Sequence, residues 1–383
     1  MIRVAIVGTG NISRAHIEAY KAFPDRAKIV AMVDIVPGKA RAKAEEFDIQ
    51  CDDYLSHEDI LGRDDIDLID ICTPPYAHAQ IAIDAMNAGK HVIVEKPMAA
   101  SLEECDKMIE TAARTGKIFS SIAQNRFKTP IANLKAMLDS GLAGDVKHAQ
   151  VDSFWWRGHS YYDLWWRGLW DKEGGGCTLN HAVHHIDMLG WMMGLPEEIT
   201  AIMANVSHDN AEVEDLSVAI MRYAHSLATV TSSVVHHGEA QQLIFQCADA
   251  KISAPFDVYA SISKDNGFPT RNEALEVEIT AFNDALPVVE YEGHVGQIDD
   301  VLSAIENDRT PAITGEDGRR TIELITGIYK SGATKQPVSL PINPADPFYT
   351  AQGMMANVPH FYEKTVAKQD LGSGDITVGS NYK

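Results

Sequence analysis

Along the first third of the chain, short apolar runs rich in β-branched residues alternate with stretches of helical spacing. Ile2–Val7 reads as a strand, and the pattern after it places Ile12, Ala15, Ile17, Ala19 and Tyr20 on or near one helical face. A second run, Ile29–Val33, stops at Asp34. Ile66–Cys72 and His91–Val94 continue the series, with a helix expected from about Ala77 to Ala88, closed by Gly89. Another is expected from about Leu102 to Arg114, with Ser101 as N-cap and Glu104 at the capping-box position. Ile118–Ser121 reads as the last strand of this half, and a helix near Ile131–Leu138, stopped by Gly141, leads out of it. Strands alternating with amphipathic helices predict a doubly wound parallel sheet.

Beyond residue 145 the texture changes. Val146–Trp156, Ile199–Val206, Leu216–Tyr223, Leu227–Val235 and Gln242–Cys247 are extended candidates joined by polar turns, interrupted by one strong helical segment around Leu179–Met193. The reading is a mostly antiparallel sheet with one face covered. Gln297–Glu306 and Gly318–Ser331 read as helices around a Pro311 loop that pack back on the first domain. The expected class is α/β. A dinucleotide-binding domain over 1–123 precedes an α+β domain over 124–341 and an extension over 342–383, Gly/Ser-rich and loose from Leu371 onward.

The first strand runs into Gly8-Thr9-Gly10-Asn11-Ile12-Ser13. Gly8 permits a tight turn, Gly10 lets the backbone approach a pyrophosphate, and the following helix N-terminus favours its charge. Ser13 replaces the third glycine of such loops and is still small enough for close helix–strand packing. Asp34 stands where an acid accepts hydrogen bonds from ribose hydroxyls, which favours NAD(H). Lys39 and Arg41 lie close enough in sequence to keep NADP(H) open as well.

The 383 residues, 45% hydrophobic and 23% charged, suffice for two substantial cores. A net charge of −21 disfavours nucleic acid and anionic membrane as partners. Five scattered cysteines without a CxxC pair point to reduced thiols and a cytoplasmic protein. A strand beginning at residue 2 predicts no signal peptide, and no apolar stretch is long enough for a membrane span.

Two regions could carry chemistry. The strand over 91–94 ends in Glu95-Lys96-Pro97, and in open α/β sheets ligands bind beyond such strand ends, so Lys96 is expected at the cofactor crevice. Thr73-Pro74-Pro75 and His78 follow the preceding strand at the same edge, where the prolines shape a rigid turn. The second region is Gly174-Gly175-Gly176 followed by Asn180, His181, His184, His185 and Asp187. On one continuous helix Asn180, His184 and Asp187 share a face. Metal ligation, satisfied structural histidines and a histidine general base are all compatible with the pattern, although no nearby acid or cysteine completes a metal site. Five of six tryptophans lie between Trp155 and Trp170, interleaved with Arg157, Arg167, Tyr161 and Tyr162. Such rings suit the C–H faces of a sugar and equally an interdomain core or subunit interface. Trp166 and Arg167 are the favoured ligand contacts.

Together, Gly8-Thr9-Gly10, Asp34, Thr73-Pro74-Pro75, Glu95-Lys96-Pro97, Asn125-Arg126 and Gly174-Gly175-Gly176…His184…Asp187 resemble the Gfo/Idh/MocA oxidoreductases, over residues 2 to about 341. The resemblance implies a Rossmann domain, an open-faced sheet domain, NAD(P) dependence, a sugar or polyol substrate and a homodimer or homotetramer. It implies that Gly8, Thr9, Gly10, Asn11, Ile12, Asp34, Thr73, Pro74, His78, Glu95, Lys96 and Asn125 contact the cofactor. By the same resemblance Lys96 polarises the reacting hydroxyl, His184 is the general base and Asn180 holds substrate hydroxyls; Arg126, Trp166 and Arg167 are further expected substrate contacts. Many relatives carry aspartate where this chain has Asn180, and an amide cannot take a proton. A reductase of ketosugars and a catalytically silent dinucleotide sensor are the alternative functions, and no metal is expected.

Overall fold

In the computed structural model, which describes residues 1–368, the chain begins with β1 (Ile2–Val7), α1 (Ser13–Lys21), β2 (Ala27–Val33), α2 (Lys39–Glu46), β3 (Asp52–Tyr54) and α3 (Glu58–Leu61). Next come β4 (Leu68–Ile71), α4 (His78–Asn87), β5 (His91–Val94), α5 (Leu102–Thr115), β6 (Phe119–Ser121), α6 (Thr129–Ser140) and β7 (Val146–Phe154). Three helices, α7 (Trp170–Glu173), α8 (Cys177–Asn180) and α9 (Val183–Met193), precede β8 (Glu198–Ala204), β9 (Leu216–Arg222), β10 (Leu227–Ser233) and β11 (Gln241–Cys247). Then follow β12 (Ala250–Ala254), β13 (Val258–Ser263), β14 (Pro269–Arg271), α10 (Glu273–Ala285), α11 (His294–Glu306), α12 (Gly315–Thr334), β15 (Val338–Ser339) and α13 (Ala351–Asn357).

The chain divides into two compact units, Met1–Phe127 with Glu290–Ile322, and Lys128–Val289 with the chain from Glu323 on. The segment over 290–322, assigned by pattern to the second domain, is thus counted with the first. The loose tail expected from Leu371 lies outside the described residues.

In the first unit six parallel strands run in the order β3-β2-β1-β4-β5-β6. Pairing sets Val7 beside Val33 and Ile71, Ile71 beside Val94, and Val94 beside Ser121, so the carboxyl ends of these strands stand level. Order reverses between β1 and β4, the switch point where such sheets bind ligands. Every residue of β4 is buried, as a strand covered on both faces requires. The core gathers Val4, Ile6, Ile17, Tyr20, Met32 and Leu68 with Ile298, Val301 and Leu302 of α11. Ser101 caps α5 by accepting from Glu104 N at 3.3 Å, and Glu104 accepts from Ala100 N at 3.0 Å.

The second unit holds a nine-stranded sheet, β14-β13-β12-β11-β7-β10-β9-β8-β15, antiparallel except where β10 pairs β7. Its strands alternate, so one face is buried while Ile202, Val218 and Ile220 lie exposed on the other. Pattern reading missed β12 to β14 and α10. The helix carries a usable start signal, because Asn272 accepts from Leu275 N ahead of Glu273 and Glu276. One expected element is corrected. The segment over 179–193 is two helices, since the chain breaks its α pattern at His181 and Ala182, where Ala182 N reaches back to Cys177 O.

Candidate functional site

The level strand ends of the first unit gather the dinucleotide residues. Gly8 has φ 95°, and a Cβ there would stand 2.7 Å from the Cys72 backbone, so only glycine allows β1 and β4 to deliver their loops side by side. Around a Cβ at Gly10 nothing lies within 4 Å, so the backbone is open to a ligand. Thr9 donates to Asp34 Oδ2 through its N–H at 3.0 Å and its hydroxyl at 2.8 Å. Val36 N donates to Oδ1, and Lys39 Nζ lies 2.9 Å from Oδ2. Burial opposes the charge of Asp34, but the bonds from Lys39, Val36 and Thr9 prevail and hold its carboxyl below the usual range. Asn11 and Ile12 are exposed beyond this turn, and Thr73 Oγ1 is buried without a hydrogen-bond partner. An open glycine, exposed loop residues, an acid for ribose and an orphaned buried hydroxyl together fit a dinucleotide.

Two residues expected at the cofactor face inward instead. His78 is fully buried, with Nδ1 2.9 Å from Pro97 O and Nε2 2.7 Å from Thr73 O, so it ties two loops together. The Glu95 carboxylate is buried against His16 and His294. Lys96 is half-buried, two residues past the last residue of β5. Asn125 is half-buried, and Arg126, an expected substrate contact, is buried and paired with Asp317 at 3.1 Å.

In the second unit the triple glycine is explained by protein rather than ligand. A Cβ on Gly175 would stand 2.1 Å from the Tyr329 hydroxyl, and one on Gly176 would stand 1.9 Å from Glu214 O. Glu214 is fully buried and accepts from Gly176 N at 3.1 Å, Thr178 N at 3.0 Å and the Tyr329 hydroxyl at 3.1 Å. Burial pushes its carboxyl up to about 7 despite these bonds. Asn180 donates through Nδ2 to Gly175 O at 2.7 Å and Gly176 O at 3.2 Å, so its amide holds the same loop.

The helix break separates Asn180 from the turn that carries His184 and Asp187. The three do not form one i, i+4, i+7 face. Of the three histidines, His181 and His185 are buried and His184 is half-buried. Burial, reinforced by Lys128, pushes His185 down to about 3, so it stays neutral. His181 Nε2 lies 3.4 Å from the Tyr161 hydroxyl.

Arg167 is the centre of an aromatic cage, its guanidinium 4.2 Å from the Tyr161 ring and 4.3 Å from the half-buried Trp166 ring. Nη1 donates to Glu173 at 2.6 Å, and Nε is buried without a partner. A neighbouring open cleft of about 560 Å³ is lined by Trp156, Arg157, Ser160, Tyr161, His237 and Glu239.

Two family models match the chain. Residues 2–122 match the oxidoreductase family with an NAD-binding Rossmann fold, and residues 131–253 match the GFO/IDH/MocA C-terminal domain. The chain belongs to the GFO/IDH/MocA oxidoreductase family. Its first unit is the NAD-binding Rossmann domain of that family. Among curated relatives, a 2,7-anhydro-N-acetylneuraminate hydratase of Mediterraneibacter gnavus is 31% identical over 212 residues, 55% of this chain and 54% of that protein. An inositol 2-dehydrogenase of Salmonella paratyphi B is 32% identical over 144 residues, 37% of this chain and 43% of that protein. The chain thus spans about half the length of these relatives. Among solved structures, the WlbA dehydrogenase of Bordetella pertussis, in complex with NADH and UDP-GlcNAcA, superposes with a TM-score of 0.78 at 26% identity, over 89% of this chain and 98% of that one.

For this GFO/IDH/MocA protein, pattern reading missed the buried group behind Lys96, formed by His16, Asp70, Glu95 and His294, and the Glu214 anchor of the glycine loop. His16 shares the buried face of α1 with Ile17 and Tyr20, and Asp70 interrupts an apolar strand. A polar residue inside a fully buried strand was the available signal. No helix among the described residues is long and apolar enough to cross a membrane.

Proposed function

We propose that this protein transfers a hydride between a secondary alcohol of a sugar, glycoside or polyol ring and a nicotinamide dinucleotide, with Lys96 polarising the reacting hydroxyl and His184 receiving its proton. The observation that carries the reading is Lys96 at the carboxyl end of β5, level with the glycine turn of β1 at the switch point of a family-matched NAD-binding domain. When bound, the nicotinamide accepts or returns the hydride. Gly8, Thr9 and Gly10 would receive the pyrophosphate and Asp34 the ribose, with NAD(H) preferred. Loss of a carbinol hydride requires loss of the hydroxyl proton, and an ammonium stabilises the alkoxide-like state while a neutral imidazole near pH 7 takes the proton.

Exposure supports His184 for that task, because its two neighbouring histidines are buried. The position of Asn180 supports a holding role, its amide setting the loop that precedes His184. Trp166 and Arg167 offer ring faces and a planar donor to a pyranose or inositol-like ring. The names of the hydratase, the inositol dehydrogenase and the sugar-nucleotide complex all agree with a ring carrying several hydroxyls. Self-association through the exposed face bearing Ile202, Val218 and Ile220, as a dimer or tetramer in the cytoplasm, belongs to the same reading.

The test follows nicotinamide reduction with NAD⁺ and NADP⁺ across sugars, glycosides and inositols, and the reverse reaction with ketosugars. Lys96→Ala and His184→Ala are each expected to lower kcat by about two orders of magnitude or more, with little change in NADH affinity. Faster turnover of lactate or malate than of every sugar would overturn the substrate class. Dependence on His181 instead of His184 would overturn the assignment of the base.

A further inference from the structure

Behind the Lys96 strand end lies a buried chain of charges drawn from four elements. His16 on α1 is fully buried, with Nδ1 2.8 Å from Asp70 Oδ2 and Nε2 2.9 Å from Glu95 Oε1. Asp70 on β4 also accepts the Tyr20 hydroxyl at 2.8 Å and lies 3.6 Å from the Cys72 thiol. His294 at the start of α11 places Nε2 3.1 Å from the same Glu95 Oε1, its ring 5.0 Å from that of His16. The other oxygen, Oε2, accepts the backbone N–H of Lys96 at 2.9 Å.

Donors and acceptors decide the charge state. An ionised carboxylate only accepts, so a ring held between two carboxylates donates from both nitrogens and is an imidazolium. Burial opposes the charge of His16, but Asp70 and its hydrogen bond lift its basicity well above normal. Burial likewise opposes the charge of Glu95, and the bonds from His16 and His294 hold it well below the usual carboxylate range. Such a group adds little stability over apolar residues of the same volume, while losing one member leaves a buried charge uncompensated. Its evident product is geometric, because the last bond of the chain fixes the peptide that carries Lys96.

We propose that His16, assisted by His294, is a positioning residue for Lys96, holding the Glu95 carboxylate so that its free oxygen fixes the Lys96 backbone N–H. This rests on the assignment of Lys96 above. The same His16, Glu95 and His294 atoms lie within 4.8 Å of one another, a spacing also suited to a metal ion. Both nitrogens of His16 and Nε2 of His294 are already matched to carboxylate oxygens, so the group stands as a hydrogen-bonded network with the positive charge on His16.

Two isosteres separate the two ends of the ring. In His16→Gln the amide nitrogen stands near the position of Nε2 and still donates to Glu95. In His16→Asn it stands near Nδ1 and donates to Asp70 only. Both remove the imidazolium and should lower Tm to a similar extent. His16→Asn should lower kcat by about tenfold or more with KM for NAD⁺ within about threefold, whereas His16→Gln should stay within about threefold of wild type in kcat. His294→Ala, at a less buried position, should show the same kcat-only loss in smaller measure and serves if His16→Asn does not fold. Equal kcat losses in both isosteres, or none in either, would overturn the proposal. So would stoichiometric zinc on purified wild type that His16→Gln abolishes.

A readout independent of turnover is the resonance of reductively ¹³C-methylated Lys96, assigned with Lys96→Arg. It should move in His16→Asn and not in His16→Gln. If no sugar is oxidised by wild type while this resonance behaves as expected, the dehydrogenase reading fails and the positioning role stands. An unmoved resonance in His16→Asn would overturn the positioning role whatever the activity.

Discussion

Glu214→Gln separates burial from hydrogen bonding at the loop that precedes His184. The Glu214 carboxyl receives two backbone N–H groups and the Tyr329 hydroxyl, and burial lifts it from an ordinary 4.5 to about 7. Between those values the folded protein keeps a proton that the unfolded chain has released. The contribution of this group to stability is therefore fully present below about pH 4.5 and is lost as pH rises through about 7. That gap is worth about 3 kcal/mol. Glutamine keeps the shape but turns an amide nitrogen toward one of the donors, which costs about 1–3 kcal/mol at every pH. Wild type should be the more stable at pH 5, and the difference should close or reverse by pH 8. For a unit of this size about 3 kcal/mol corresponds to a relative Tm change of about 6–12 °C. Thermal unfolding of both proteins between pH 5 and 8.5 measures it, and all other titrating groups cancel in the difference. A wild-type-minus-variant difference that stays flat over that range would refute the reasoning.

Three further outcomes are expected. Asn180→Asp would set a carboxylate against the carbonyl oxygens of Gly175 and Gly176, in place of bonds at 2.7 and 3.2 Å. It should destabilise the second unit by about 1–3 kcal/mol, measured by urea unfolding at pH 7. Asp34→Ser would release Lys39 from its 2.9 Å pairing and raise the NADP⁺ to NAD⁺ ratio of kcat/KM, whereas a tenfold preference of wild type for NADP⁺ would contradict the role given to Asp34. Overnight EDTA followed by desalting should leave activity and Tm unchanged, and a loss restored by zinc would make the histidines ligands.

Five strands of the first sheet were legible in the sequence because they are apolar runs in a largely buried sheet, whereas β3, polar and not buried, was not read. The Gly8–Gly10 turn and the place of Asp34 at the end of β2 follow from that pattern alone. The break after Asn180 was not legible. Thr178 to Met193 keeps helical apolar spacing throughout, and the interruption depends on Glu214 and Tyr329, 34 and more residues further on, which seize the glycine loop. Asn180 was given to the substrate by the resemblance, and the bonds of its amide to the glycine loop were not foreseen. His78 and Glu95 were placed at the cofactor by the family resemblance. Their inward turn is set by carbonyls and histidines brought from other elements, which no local pattern encodes. The open face of the second sheet was legible from strict alternation, while β13 and β14 are mostly exposed and show no apolar alternation.

The core of the dinucleotide-binding unit contains Ile298, Val301 and Leu302, separated from its sixth strand by the whole of residues 128–289. During synthesis the parallel sheet therefore emerges long before the helix that seals it. At ribosomal speed the interval is about 10–30 s, a period in which Ile17, Tyr20 and Phe23 have lost one of their neighbours. A nascent chain of this length is a natural client for a chaperone. A fragment ending at Phe127 would carry the same exposed seam permanently. Joining 290–322 behind residue 127 by a short linker, with the intervening unit excised, is the arrangement in which the nucleotide-binding half could be made as an autonomous domain.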